Sequence, residues 1–148
     1  MSQGKVLLFS AGGLRLGVFL AEVGRLLVED QMAPVPFSHP ALAGVMLAGD
    51  DGPVPVFDLR GLFGSAPPLC APGATVALFP TAKGPVGLRF EALLGTISSY
   101  EPLSESATAA LLDQAPEAAR GTLTNAARTA EGAFSFFSPD AFLARVGL

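Results

Sequence analysis

The chain has 148 residues, 50% of them hydrophobic and only 15% charged, with a formal net charge of −4. It is too apolar for a disordered chain, and it has no basic footprint for nucleic acid. A single cysteine excludes an intramolecular disulfide framework and thiolate metal clusters, and the length suits one ordinary domain or two very small fused ones. So few charges leave much of the surface apolar, as in proteins that work in contact with partners.

In chain order, Val6-Leu7-Leu8-Phe9 reads as a buried strand that ends at a Gly12-Gly13 turn, with a second strand around Leu16-Gly17-Val18. The stretch from Val6 to Leu14 also has the length of a signal-peptide core. Only Lys5 precedes it and no small-x-small cleavage site follows, so the strand fits better and the cytoplasm is the expected compartment. No apolar run approaches the ~20 residues that cross a bilayer, and no membrane insertion is expected. Ala43 to Leu47 reads as a strand and Asp50-Asp51-Gly52 as a turn. Pro53 and Pro55 flank the next strand, and since neither can donate to a ladder this strand is expected at an edge or at a bulge. Gly64 to Gly73, with Pro67, Pro68, Cys70 and Pro72, reads as a linker or crossover. Ser104 can cap a helix over Glu105 to Gln114, which Pro116 stops or restarts. Residues 121–127 and 132–137 form a closing hairpin. Ser138 then caps a helix with Pro139 in its first position, running to about Val146 and ended by Gly147.

Two internal echoes run through these elements. At an offset of 70, Val6, Leu8 and Phe9 fall on Val76, Leu78 and Phe79, Leu16-Gly17-Val18 falls on Val86-Gly87-Leu88, and Val23 falls on Leu93. At an offset of 80, Val54, Val56 and Phe57 fall on Phe134, Phe136 and Phe137. Each first stretch reads as strand, glycine-containing turn, strand, which points to two similar small barrels or sheets.

Enzyme chemistry is not found. His39 stands between Ser38 and Pro40 with no acid or cysteine beside it, and Cys70 has no basic neighbour to lower its pKa. Asp50-Asp51 lacks the further ligands a metal turn needs. No phosphate loop or nucleophile elbow is present. The chain is expected to be no enzyme and to use no cofactor and no metal.

Three pieces carry a resemblance: Val6-Leu7-Leu8-Phe9-Ser10 with its turn and Leu16-Gly17-Val18; Val35-Pro36, Pro40 and Gly44-Val45; and Val54-Pro55-Val56-Phe57-Asp58-Leu59-Arg60. In this order, from about Lys5 to Val146, the chain resembles the CheW-type coupling domain of bacterial chemosensory systems. Val86-Gly87-Leu88-Arg89-Phe90-Glu91-Ala92-Leu93 resembles the family's Val-Gly-x-x-Val-Asp-x-Val run, with Glu91 in place of Asp. The resemblance implies an all-β fold: two SH3-like five-stranded β-barrel subdomains with short helices, one of them C-terminal. The chain would be a single CheW-like domain over 1–148, with pseudo-repeats of about 5–63 and 74–137 that cross over and a helix over about 139–146. It implies a non-catalytic adaptor that docks on the cytoplasmic tip of a methyl-accepting chemoreceptor and couples it to a CheA-type histidine kinase, or to another CheW-like protein. The implied receptor groove contains Val23, Gly44, Gly87 and Leu93, of which Val23 and Leu93 could equally be core. Asp58, Leu59 and Arg60 identify the family, Asp58 suiting a turn cap and Leu59 the core. An SH3-like peptide-binding module outside chemosensing is the alternative, weakened by a chain with 1 Tyr and no Trp.

One hairpin departs from the family pattern. Where members carry Asn-Leu-Arg-Gly, this chain has Met46-Leu47-Ala48-Gly49-Asp50-Asp51-Gly52. Ala48 and Gly49 followed by Asp50 and Asp51 remove a guanidinium and reverse the local charge. The resemblance therefore leans towards a divergent paralogue, like the extra CheW-like protein (FrzB) of frizzy-type pathways, with kinase binding weakened or lost.

Overall fold

The structure is a computed structural model and describes residues 4–29, 32–34, 42–47, 52–63 and 74–145. Residues 48–51, expected in a hairpin, residues 64–73, expected in a linker, and His39, Cys70 and Gly147 lie outside the described residues.

The apolar start of the chain forms β1 (Val6–Ala11) and β2 (Leu14–Phe19), a hairpin that turns on Gly12 and Gly13 at φ +59° and +81°. A 3-10 turn at Leu20–Glu22 leads into β3 (Arg25–Val28), followed by β4 (Met32–Ala33), β5 (Leu42–Leu47) and β6 (Pro53–Asp58). After a second 3-10 turn at Leu59–Phe63 come β7 (Thr75–Phe79) and β8 (Val86–Arg89), whose turn is closed by Thr81 and Gly84 exchanging backbone hydrogen bonds of 3.1 Å. β9 (Ala92–Ile97) and β10 (Glu101–Pro102) precede two helices, α1 (Glu105–Leu112) and α2 (Glu117–Arg120). The Ser104 hydroxyl accepts from the Ala107 N–H at 3.2 Å, and Pro116 caps the start of α2, so the helix stops after Leu112 and restarts at Glu117. β11 (Leu123–Thr129), β12 (Gly132–Phe137) and α3 (Pro139–Arg145) complete the chain, with the Ala141 N–H donating to the Ser138 hydroxyl at 3.1 Å.

The strands build two six-stranded sheets, ordered β10-β11-β12-β2-β1-β9 and β4-β5-β6-β8-β7-β3. The expected pair of five-stranded SH3-like barrels is corrected here: each sheet has six strands, and among the described residues no ladder joins its outermost strands into a closed barrel. The end strands are short or exposed, which leaves little hydrogen-bonding edge for closure.

The same ladder relations recur in both sheets, and each sheet borrows a hairpin across the chain. β1-β2 joins β9 to β12, whereas β7-β8 joins β3 to β6. Phe136 pairs with Gly17 in the parallel β12–β2 ladder, and Val56 pairs with Gly87 in the parallel β6–β8 ladder. A Cβ on Gly17 would lie 2.8 Å from Phe134 and 2.9 Å from Val6; on Gly87 it would lie 2.8 Å from Val76 and 3.1 Å from Val56. Both glycines therefore permit a close approach that no larger residue allows.

β1 and β7 are buried on both faces, which explains their unbroken apolar runs. Leu7, Phe9, Ala77 and Phe79 point into a central core between the sheets, shared with Val18, Phe57, Leu88 and Phe142. The alternate residues serve separate cores: Val6 and Leu8 join Phe134 and Phe136, whereas Val76 and Leu78 join Val54 and Val56.

β6 is interior, between β5 and β8, not at an edge as its prolines suggest, and the register shift falls in β5. Pro53 and Pro55 precede the Val56–Asp58 stretch that pairs with β8, so no partner on that side requires their missing N–H. The edge strands β3, β4, β9 and β10 escape a reading of the sequence because they are short or half-exposed and lack clean alternation.

Candidate docking site

Of the four residues expected in a receptor groove, two come together. Gly44 and Gly87 lie on opposite sides of Val56, in one row across the second sheet, and both are buried. Val23 is half-buried against the central core, its N–H donating to the Leu20 carbonyl at 3.0 Å. Leu93 lies on the rim of the other sheet, opposite Phe9 on β1, and is 42% exposed. Two of the four edge strands expose apolar side chains: Leu26 and Val28 on β3, Leu93 and Leu94 on β9. Edge strands of this kind offer unpaired backbone and apolar contact to another chain.

The Asp58-Leu59-Arg60 motif closes inwards. Leu59 is fully buried in the central core. Asp58 ends β6, is equally buried, and pairs in register with Arg89 at the end of β8. Its Oδ1 accepts from the Arg60 N–H at 2.8 Å and from Arg60 Nε at 3.0 Å, closing a local turn. Its Oδ2 accepts from Arg60 Nη2 and Arg89 Nε, each at 2.7 Å. Arg89 in turn donates from Nη1 to Glu29, just beyond β3. Burial pushes the Asp58 carboxyl up, but the hydrogen bonds from Arg60 and Arg89 outweigh it and hold it below the ordinary aspartate range. The same bonds to Asp58 raise Arg60. This network ties the ends of three strands, and it gives the motif a structural reason to be charged.

Glu29 and Arg89 were not legible as partners of Asp58. The available signal was weak: Glu29, one of two adjacent acids after Leu26-Leu27-Val28, and a single base, Arg89, after Val86-Gly87-Leu88. Among the described residues no group of acids, histidine or cysteine is arranged to hold a metal, and no helix is long and apolar enough to cross a membrane.

The two interleaved sheets and the Val-Phe-Asp-Leu-Arg element coincide with a family match. The CheW-like domain family matches residues 5–137. The chain belongs to the CheW-like family. Its members are chemotaxis scaffold and coupling proteins. The CheW-like fold is also that of the scaffolding protein TtCheW from Thermoanaerobacter tengcongensis, at a TM-score of 0.70 and 16% identity, over 94% of this chain and 86% of that one. No curated protein sequence matches the chain significantly.

Proposed function

We propose that this CheW-like chain is a non-catalytic adaptor of a cytoplasmic chemosensory assembly, acting as one unit over its whole length. It docks on the cytoplasmic tip of a methyl-accepting chemoreceptor, with Val23, Gly44, Gly87 and Leu93 contributing to the docking region. Leu93, exposed on the rim of the first sheet, supplies apolar contact, and the buried glycine row sets the shape of the second sheet. The observation that carries this reading is the family match over residues 5–137.

The adaptor is a divergent paralogue, resembling the extra CheW-like protein of frizzy-type pathways, whose binding to a CheA-type kinase is weakened or lost. Ala48, Gly49, Asp50 and Asp51 support this, because the guanidinium that other members present there is replaced by two carboxylates. Calorimetric titration against the receptor tip and against the kinase regulatory domain, run separately, tests both halves. The expected result is binding to the tip and little to the kinase. Ordinary micromolar binding to the kinase overturns the paralogue reading, and no binding to the tip overturns the adaptor itself.

A further inference from the structure

The ladder equivalence places two chemically different sites at matching positions. Asp58 and Arg89 lie two residues beyond the Val56–Gly87 pair. Ser138 and Phe19 lie two residues beyond the Phe136–Gly17 pair. In the second sheet this corner is filled by two guanidinium groups and two carboxylates, paired with each other. In the first sheet the position of Arg89 holds Phe19, and the position of Arg60 holds Asp140. The built-in cations are gone, and the corner opens as a cleft of about 340 Å³.

Four aromatic residues, Phe19, Tyr100, Phe136 and Phe137, line that cleft. Phe19 stacks on Phe136 with centroids 5.1 Å apart, and Tyr100 meets Phe136 edge-on at 5.5 Å. Glu22 lines the same cleft and also borders the adjoining hollow lined by Asp140. Neither acid forms an ion pair with a described residue. Burial, and then repulsion from Asp140, push the Glu22 carboxyl above its ordinary value, as expected for acids without a cation. Phe19, at 38% exposure, leaves ring surface open to an occupant.

We propose that this cleft binds a small organic cation with an apolar body, its ammonium on Glu22 and its body against Phe19, Tyr100 and Phe136. The ligand supplies from outside the charge that Arg89 supplies from within at the matching corner. The volume suits a molecule of about ten heavy atoms, at the small end of ligand pockets. Aromatic rings and a carboxylate together select a cation over a neutral isostere.

Tyr100 is the sole tyrosine in a chain without tryptophan, so its emission reports on this cleft. Titration of the full chain with phenethylammonium should give a saturable change, with 2-phenylethanol binding at least about fivefold more weakly. Glu22→Gln, at an exposed residue, should weaken the amine by about fivefold or more. Phe19→Arg, which restores the cation of the matching corner, should abolish binding. No saturable change, equal binding of amine and alcohol, or unchanged affinity in Glu22→Gln each overturns the proposal. None of these outcomes depends on the receptor or the kinase.

Discussion

The two parallel ladders end in different ways. Where β6 meets β8, the fold buries Asp58, Arg89 and Glu29 and satisfies them with one another and with Arg60. Where β12 meets β2, the matching corner is built from Phe19, Phe136 and a hydroxyl cap at Ser138. One backbone frame thus tolerates an ionic plug or an aromatic wall. The ionic corner is demanding, because losing one partner strands the others without water, whereas the aromatic corner loses only contact area.

The sharpest way to break this comparison is Asp58→Asn, which removes the negative charge shared by Arg89 and Arg60 and turns one of its two acceptor oxygens into a donor. It should destabilise the protein by about 3–5 kcal/mol, read from the urea midpoint. It should also change the acid limb. The Asp58 carboxyl is depressed in the folded state. Its contribution is therefore complete above the unfolded aspartate pKa of about 3.9 and is lost as pH falls through the folded value. The wild type should lose stability through that acid window, and Asp58→Asn should flatten the slope. Gly17→Ala and Gly87→Ala come next. Each added methyl meets side-chain carbons at 2.8 Å, so each should lose about 1–3 kcal/mol, and the two losses should be similar if the corners share a frame. Ser138→Ala, at the site matching Asp58, should lose only about 1 kcal/mol, as for a helix cap. Glu22→Gln should have the smallest effect on stability, within about 0.5 kcal/mol. Its sign is opposite to that of Asp58. Because the folded Glu22 carboxyl is raised, its ionised form works against folding, and the wild type regains that stability as pH falls through the folded pKa. Melting temperatures of the two proteins at neutral pH and near pH 4 should therefore converge at the lower pH.

The inner parts of this fold were legible in the sequence, and the rims were not. β1, β7, the two glycine turns, the caps at Ser104 and Ser138 and the closing hairpin each leave a local signature: an unbroken apolar run, a positive-φ glycine or a capping hydroxyl. The echo between Gly17 and Gly87 was legible because both must admit a side chain from a neighbouring strand. Sheet closure was misjudged because it depends on how the short end strands meet, which no local pattern records. Pro53 and Pro55 misled for a related reason: whether a missing N–H matters depends on where the partner strand begins. Among the candidate site residues, Gly44 and Gly87 share a row through pairing with Val56, yet Leu93 stands on the opposite sheet, a separation set by the exchange of hairpins. The Asp58–Arg89–Glu29 chain joins residues far apart in sequence, and only the ladders bring them within reach.

The borrowed hairpins also bear on how the chain comes to be folded. Leu16 and Gly17 on β2 find their parallel partners only in Ser135 and Phe136, close to the other end of the chain. During synthesis the β1-β2 hairpin emerges before its sheet partners and waits, with its apolar faces uncovered, until β9 and β12 have been made. Pairings of such long range slow the search for the native arrangement. They also mean that neither half holds a full sheet by itself: a chain severed between β6 and β7 would yield two fragments, each missing two strands that only the other can provide.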